Sequence, residues 1–136
     1  MKINDWWIYA ISGLVWSLWH APYFLIFLDD SIFELLGVSR LANTAIGVLI
    51  MSCWNVLYVE MFRLTKTVWT CTIMHAAEDG VLVTLFLGGY YILANGLTTW
   101  VFDPSVGIIT AFLIFVVGLV LRKIRIKKEQ KVHVYS

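Results

Sequence analysis

The feature that most constrains this chain is the clustering of its apolar residues. They gather into four runs, Trp6–Leu28, Leu41–Phe62, Val68–Leu87 and Val106–Leu121. A helix crossing the hydrocarbon core of a bilayer needs about 20 such residues, and each run meets or approaches that length. The fourth is the shortest, but Arg122 and Lys123 directly after it can snorkel to the interface. Composition agrees: 60% of the residues are hydrophobic and 14% charged, whereas soluble domains carry about 25% charged residues. The expected fold is all-α, a polytopic transmembrane bundle of about four spanning helices. Residues 1–121 form one membrane unit, and 122–136 form a basic cytoplasmic tail expected to fray along the membrane surface.

Charge distribution sets the expected orientation. With the N-terminus inside, nine of the ten Lys and Arg residues fall on the inner side and only Arg40 on the outer. The positive-inside rule therefore favours both termini in the cytoplasm of a bacterial-type plasma membrane. Trp6, Trp7 and Tyr9 suit one interface, and Tyr90, Tyr91 and Trp100 the other. The net charge of +1 gives no bias toward nucleic acid. No signal-peptide pattern stands out, because the run from Trp6 is too long for one. Cys53 and Cys71 both sit in apolar runs as small hydrophobes. The stretch from Gly88 to Ser105, rich in Gly and ending in Asp-Pro, is expected as a loop or surface-lying piece.

Ionisable groups inside hydrocarbon cost several kcal/mol and face protein or water, where they tend to be functional. Four are candidates here. His20 shares a helix face with Trp16 one turn earlier, and Pro22 leaves the Leu18 carbonyl without its usual amide partner. His75 and Asp79 lie one turn apart on a single face that Glu78 flanks. Small-residue stripes, Gly13/Ser17/Ala21 and Thr72/Ala76/Gly80, suggest that the first and third spans pack together and bring the histidines around one cavity. The depths match less well: His20 lies about 21 Å from the inner edge and His75 about 10 Å. In the second span, Glu60 is expected in a surface ion pair with Arg63, and Asn55 as a bridge between helices.

These residues carry a family resemblance. "LVWSLWHAPYF" resembles the second signature of the CPBP (CAAX protease and bacteriocin-processing, or Abi) family of intramembrane proteases: an aromatic residue, three others, histidine, then proline. "LYVEMFRLTKTVWTCTIMHAAEDG" is similar to the third: a basic turn with threonine, then a helix with histidine, three residues, and Asn or Asp. The resemblance implies a water-activating role for His20 and an oxyanion-stabilising role for His75 and Asp79. Trp16 would wall the pocket, and Asp79 would serve best uncharged. It further implies membrane-embedded or lipid-anchored peptide substrates. The family's first signature, Glu-Glu-xxx-Arg, is not found in "MKINDWWIYAISG". The chain is therefore expected to be impaired or inactive alone. It would be a fragment completed by a partner that supplies the preceding helices, or a degenerate relative. Glu78 could replace the lacking carboxylate only by turning into the cavity.

Three rival functions are weighed beside the resemblance. No cofactor is expected, the alternative being zinc held by His20, His75 and Asp79 with a fourth position open. A proton or ion relay could run through Glu78, Asp79 and the histidines. A non-catalytic bacteriocin self-immunity or scaffold protein would keep the cavity without turnover.

Overall fold

The computed structural model describes residues 3–88, 96–104 and 107–134. Helix α1, Asp5–Pro22, starts where the Asn4 side chain accepts from the Trp6 amide, and it passes into a wider π-helical segment, Tyr23–Phe27. Proline has no amide hydrogen to give; directly after Pro22 the spacing changes, and the Leu28 amide reaches back to the Tyr23 carbonyl. The short α2, Asp30–Leu36, is capped by Asp29 and closed by Gly37 in the left-handed region at φ 67°. There glycine escapes the steric penalty other residues meet.

The long α3, Arg40–Thr65, begins at a Ser39 cap and ends on Lys66 at φ 59°. Thr67 then caps α4, Val68–Ala77, which runs through a second π-helical segment, Glu78–Val83, into the single turn of α5, Thr84–Leu87. Helices α6, Gly96–Phe102, and α7, Ile108–Val134, complete the described chain, which has no strand.

The chain is thus all-α. Two helical stretches, Asp5–Phe27 and Arg40–Thr65, are each long and apolar enough to cross a membrane. The other two expected spans are helical as well, but one is interrupted by the π-helical segment that carries Glu78 and Asp79. The other, α7, takes in Arg122, Lys123 and Arg125. Much of the apolar surface of α1 faces outward: Trp19 is 82% exposed, and Trp7, Val15 and Leu18 are exposed too. In water such a face would be a liability, and in lipid it is the expected outer surface.

Helix α3 is the axis of the fold, with α1 packed on one flank and α7 on the other. Backbones approach closely at both contacts. A Cβ on Gly13 would lie 3.3 Å from the Ser52 Cα, and one on Gly118 would lie 2.9 Å from the Leu57 amide nitrogen. Ser17 is buried, and its hydroxyl donates to the Gly13 carbonyl at 2.6 Å and the Val48 carbonyl at 3.3 Å. The Gly13/Ser17 stripe therefore seats α1 on α3, not on the third span as its spacing suggested. The proposed mate stripe is exposed at Thr72, Ala76 and Gly80, and a Cβ on Gly80 would meet nothing within 4 Å.

Three further expectations are corrected. Residues 122–134 are not frayed but continue α7, because Arg122 and Arg125 are drawn into ion pairs with Asp5 at 2.9 and 2.8 Å. Glu60 is not a surface partner of Arg63: it is fully buried. It accepts from the Tyr9 hydroxyl and from Arg125 at 2.7 Å. Tyr9 and Trp100 are buried rather than interfacial: the Tyr9 hydroxyl is taken up by Glu60, and the Trp100 indole donates to the Leu36 carbonyl at 3.2 Å. Tyr90 and Tyr91 lie outside the described residues.

Candidate active site

Four helical pieces bring the polar residues together. From α1, Trp16 and His20 share one face, and their rings meet edge to face at 5.7 Å. From the α4 end, His75 projects toward them, 6.2 Å from His20 and 5.5 Å from Trp16 between ring centroids. The depth mismatch expected from residue counting is thus closed by packing. The two imidazoles converge although α1 rests on α3, because α4 also leans on α3 and places His75 opposite the same flank.

Hydrogen bonds define how each histidine is held. His20 Nδ1 is 2.9 Å from the Trp16 carbonyl. A carbonyl only accepts, so Nδ1 carries the hydrogen, and the neutral ring keeps its lone pair on Nε2. The acceptor is the carbonyl one turn back, not the Leu18 carbonyl that Pro22 releases. His75 sits between two carboxylates: Nδ1 is 3.4 Å from Glu78 Oε2, and Nε2 is 3.5 Å from Asp79 Oδ2. Both contacts are long for hydrogen bonds, so they orient the ring without tying its nitrogens to a short partner.

Glu78 does turn inward. Its side chain is 15% exposed, against 59% for Asp79. The Tyr58 hydroxyl donates to its Oε2 at 2.9 Å. Tyr58 also packs edge-on against Trp16 and His75 and lies over Trp54. Sequence reasoning missed this residue: a tyrosine in an apolar helix looks like packing, and no local spacing ties it to a carboxylate 20 residues later.

His20, His75, Glu78 and Asp79 lie at one edge of a cavity of about 160 Å³ whose remaining wall is mostly apolar, with Asn43 its polar exception. Phe24, Ile32, Leu36, Ile50, Trp54 and Trp100 supply much of it. The π-helical segment after Pro22 delivers Tyr23 and Phe24 to the wall, and Phe24 stacks on His20. Trp16 lines it as expected. Such a site offers an apolar bed for a chain beside a base and a cluster of donors. Among the described residues no three His, Cys, Asp or Glu side chains form a group that could hold a metal ion.

Compared with known families, residues 1–81 match the family model described as type II CAAX prenyl endopeptidase Rce1-like, which covers more than half of the chain and every candidate site residue. Neither the curated proteins nor the solved structures contain a match.

Proposed function

Because the chain belongs to the Rce1-like family of type II CAAX prenyl endopeptidases, we propose that its cavity hydrolyses peptide bonds of membrane-embedded or lipid-anchored peptides. The observation that carries this reading is the pair of imidazoles 6.2 Å apart at the edge of an apolar cavity, one of them with a free Nε2 lone pair.

In this mechanism water between the rings gives a proton to His20 Nε2, and its oxygen bonds to the scissile carbonyl carbon. Negative charge gathers on the carbonyl oxygen, where a His75 N–H donates to it. Donors aimed at developing charge in a dry site are worth several kcal/mol. Glu78 and Asp79 orient the His75 ring from either side, and Glu78 supplies a carboxylate from within the cavity. The C–N bond then breaks, and His20 returns its proton to the leaving amine.

Orientation belongs to the same proposal. Asp5 at the start of α1, Arg63 near the end of α3 and Arg122 of α7 are linked by ion pairs at 2.7 and 2.9 Å. The start of α1, the end of α3 and the middle of α7 therefore share one side of the bundle, which supports placing both termini at the cytoplasmic face of a bacterial plasma membrane.

The test is peptide cleavage by the chain in lipid nanodiscs, using prenylated C-terminal peptides and unprenylated membrane peptides in parallel. His20→Ala and His75→Ala are each expected to lower the cleavage rate by about 10²-fold or more. Wild-type cleavage no faster than that of His20→Ala would overturn the endopeptidase reading and leave a cavity that binds without turnover, as in a self-immunity or scaffold protein.

A further inference from the structure

Beside His75 lies a second chamber, about 280 Å³ and open on the exposed Thr72 side, lined by Trp16, Asn55, Tyr58, Cys71, Thr72 and His75. It shares Trp16 and His75 with the apolar cavity. Those two rings and Tyr58 form a three-ring wall with centroid spacings of 5.4, 5.5 and 6.1 Å. The two sides of that wall differ chemically. The first cavity sets Asn43, Glu78 and Asp79 in a long bed of aromatic and aliphatic side chains, whereas the second, apart from the two shared rings, is lined by an amide, a phenol, a thiol and a hydroxyl with no aliphatic side chain.

Asn55 is the decisive residue. It is only 5% exposed. Its Nδ2 donates to the Tyr9 carbonyl at 3.0 Å and to Ser12 Oγ at 2.9 Å. Because a backbone carbonyl can only accept, the amide cannot be flipped. Its Oδ1 is left on the opposite branch with no protein partner among the described residues, in a side chain that lines the chamber. That oxygen is not enclosed: among the described residues the one fully buried side-chain polar atom without a partner is Trp54 Nε1, so Asn55 Oδ1 opens onto the chamber, where water can meet it. The chamber has room for several waters at about 30 Å³ each. Cys71 and Thr72 lie within about 6 Å of the start of α4 along its axis, beside the Lys66–Thr67 turn.

We propose that this chamber is a hydrated inlet through which water reaches His75 from the Lys66–Thr67 end of the bundle, while the apolar cavity stays free for the peptide. Its use in hydrolysis rests on the endopeptidase reading; its hydration does not. Water as co-substrate would then arrive on one face of the three-ring wall and substrate on the other, with His75 common to both.

The chain carries its own probes. Cys71 lines the chamber, whereas Cys53 packs beside the buried core cluster and lines neither space. The unmodified chain in lipid nanodiscs would be treated with a permanently charged methanethiosulfonate or with lipid-soluble N-ethylmaleimide, and the modified cysteine mapped by mass spectrometry. The charged reagent is expected to modify Cys71 at least about tenfold faster than Cys53, and Thr72→Trp, which plugs the chamber, is expected to remove that difference. Modification of Cys71 by the maleimide alone would mean that lipid fills the space, and protection from both reagents would mean that it is closed; either overturns the inlet. An unchanged rate in Thr72→Trp would overturn it as well. A chain that labels at Cys71 yet cleaves nothing defeats the endopeptidase reading and leaves the inlet standing; one that cleaves while excluding the charged reagent does the reverse.

Discussion

Tyr58 joins the parts of the site that come from different helices. Its hydroxyl holds Glu78 Oε2 while its ring buttresses Trp16 and His75. It reaches the reacting atoms only through Glu78 and His75, so it is a positioning residue. Removing the hydroxyl leaves the Glu78 carboxylate with the long His75 contact alone. A hydrogen bond to a charged group is worth about 1.5–3 kcal/mol. Tyr58→Phe is therefore expected to lower kcat for peptide cleavage about tenfold while KM stays near the wild-type value. A rise in KM with kcat unchanged would assign Tyr58 to substrate binding instead. His20 needs no such helper, because its Nδ1 hydrogen is fixed by the Trp16 carbonyl of its own helix.

At the scale of elements, both π-helical segments fall at the site. One follows Pro22 and turns Tyr23 and Phe24 into the cavity wall; the other starts at Glu78. Wide turns of this kind recur where a helix must re-aim side chains. The close helix contacts lie elsewhere, at Gly13 and Gly118 against α3. At Gly118 an added Cβ would meet backbone at 2.9 Å, which cannot swing aside as a side-chain tip would. Gly118→Val is expected to destabilise the chain by about 1–3 kcal/mol through overpacking, whereas Gly80→Ala, with open space around it, is expected to leave stability nearly unchanged. Thermal unfolding in detergent checks the contrast, and equal effects of the two substitutions would contradict the assigned α3–α7 packing.

Across the whole molecule, a buried charge network ties the three long helices together at one end. Asp5 of α1 meets Arg63 of α3 and Arg122 and Arg125 of α7, and Glu60 of α3 meets Arg125. The Asp5–Arg125 contact spans 120 positions of sequence. With Glu60 fully buried and Arg125 nearly so, neither charge is solvated by water, and each is paired by the other. Deleting one partner of such a pair costs about 3–5 kcal/mol, more than the pair itself contributes relative to apolar residues. Arg125→Met is expected to lose stability in that range. The double variant Glu60→Leu with Arg125→Met is expected to lose clearly less than the sum of the two singles. Additive losses in unfolding measurements would show that the two charges do not act as a unit.

What the sequence by itself determined was local. Apolar runs of membrane length foretold helices, and helical periodicity alone put Trp16 with His20 and His75 with Glu78 and Asp79, because neighbours three or four positions apart share a face whatever the helix packs against. Pro22 marked a carbonyl that loses its amide partner, but not the wider turn that follows it. Only the tertiary structure decided which faces meet. The Gly13 and Ser17 stripe chose α3 over α4, Glu60 found Tyr9 and Arg125 instead of Arg63 alone, the basic tail became the end of α7, and Tyr58 reached Glu78. Each of those outcomes depends on surfaces brought together from distant positions, where a side chain's partner is set by the shape and charge of another helix and leaves no trace in its own neighbourhood.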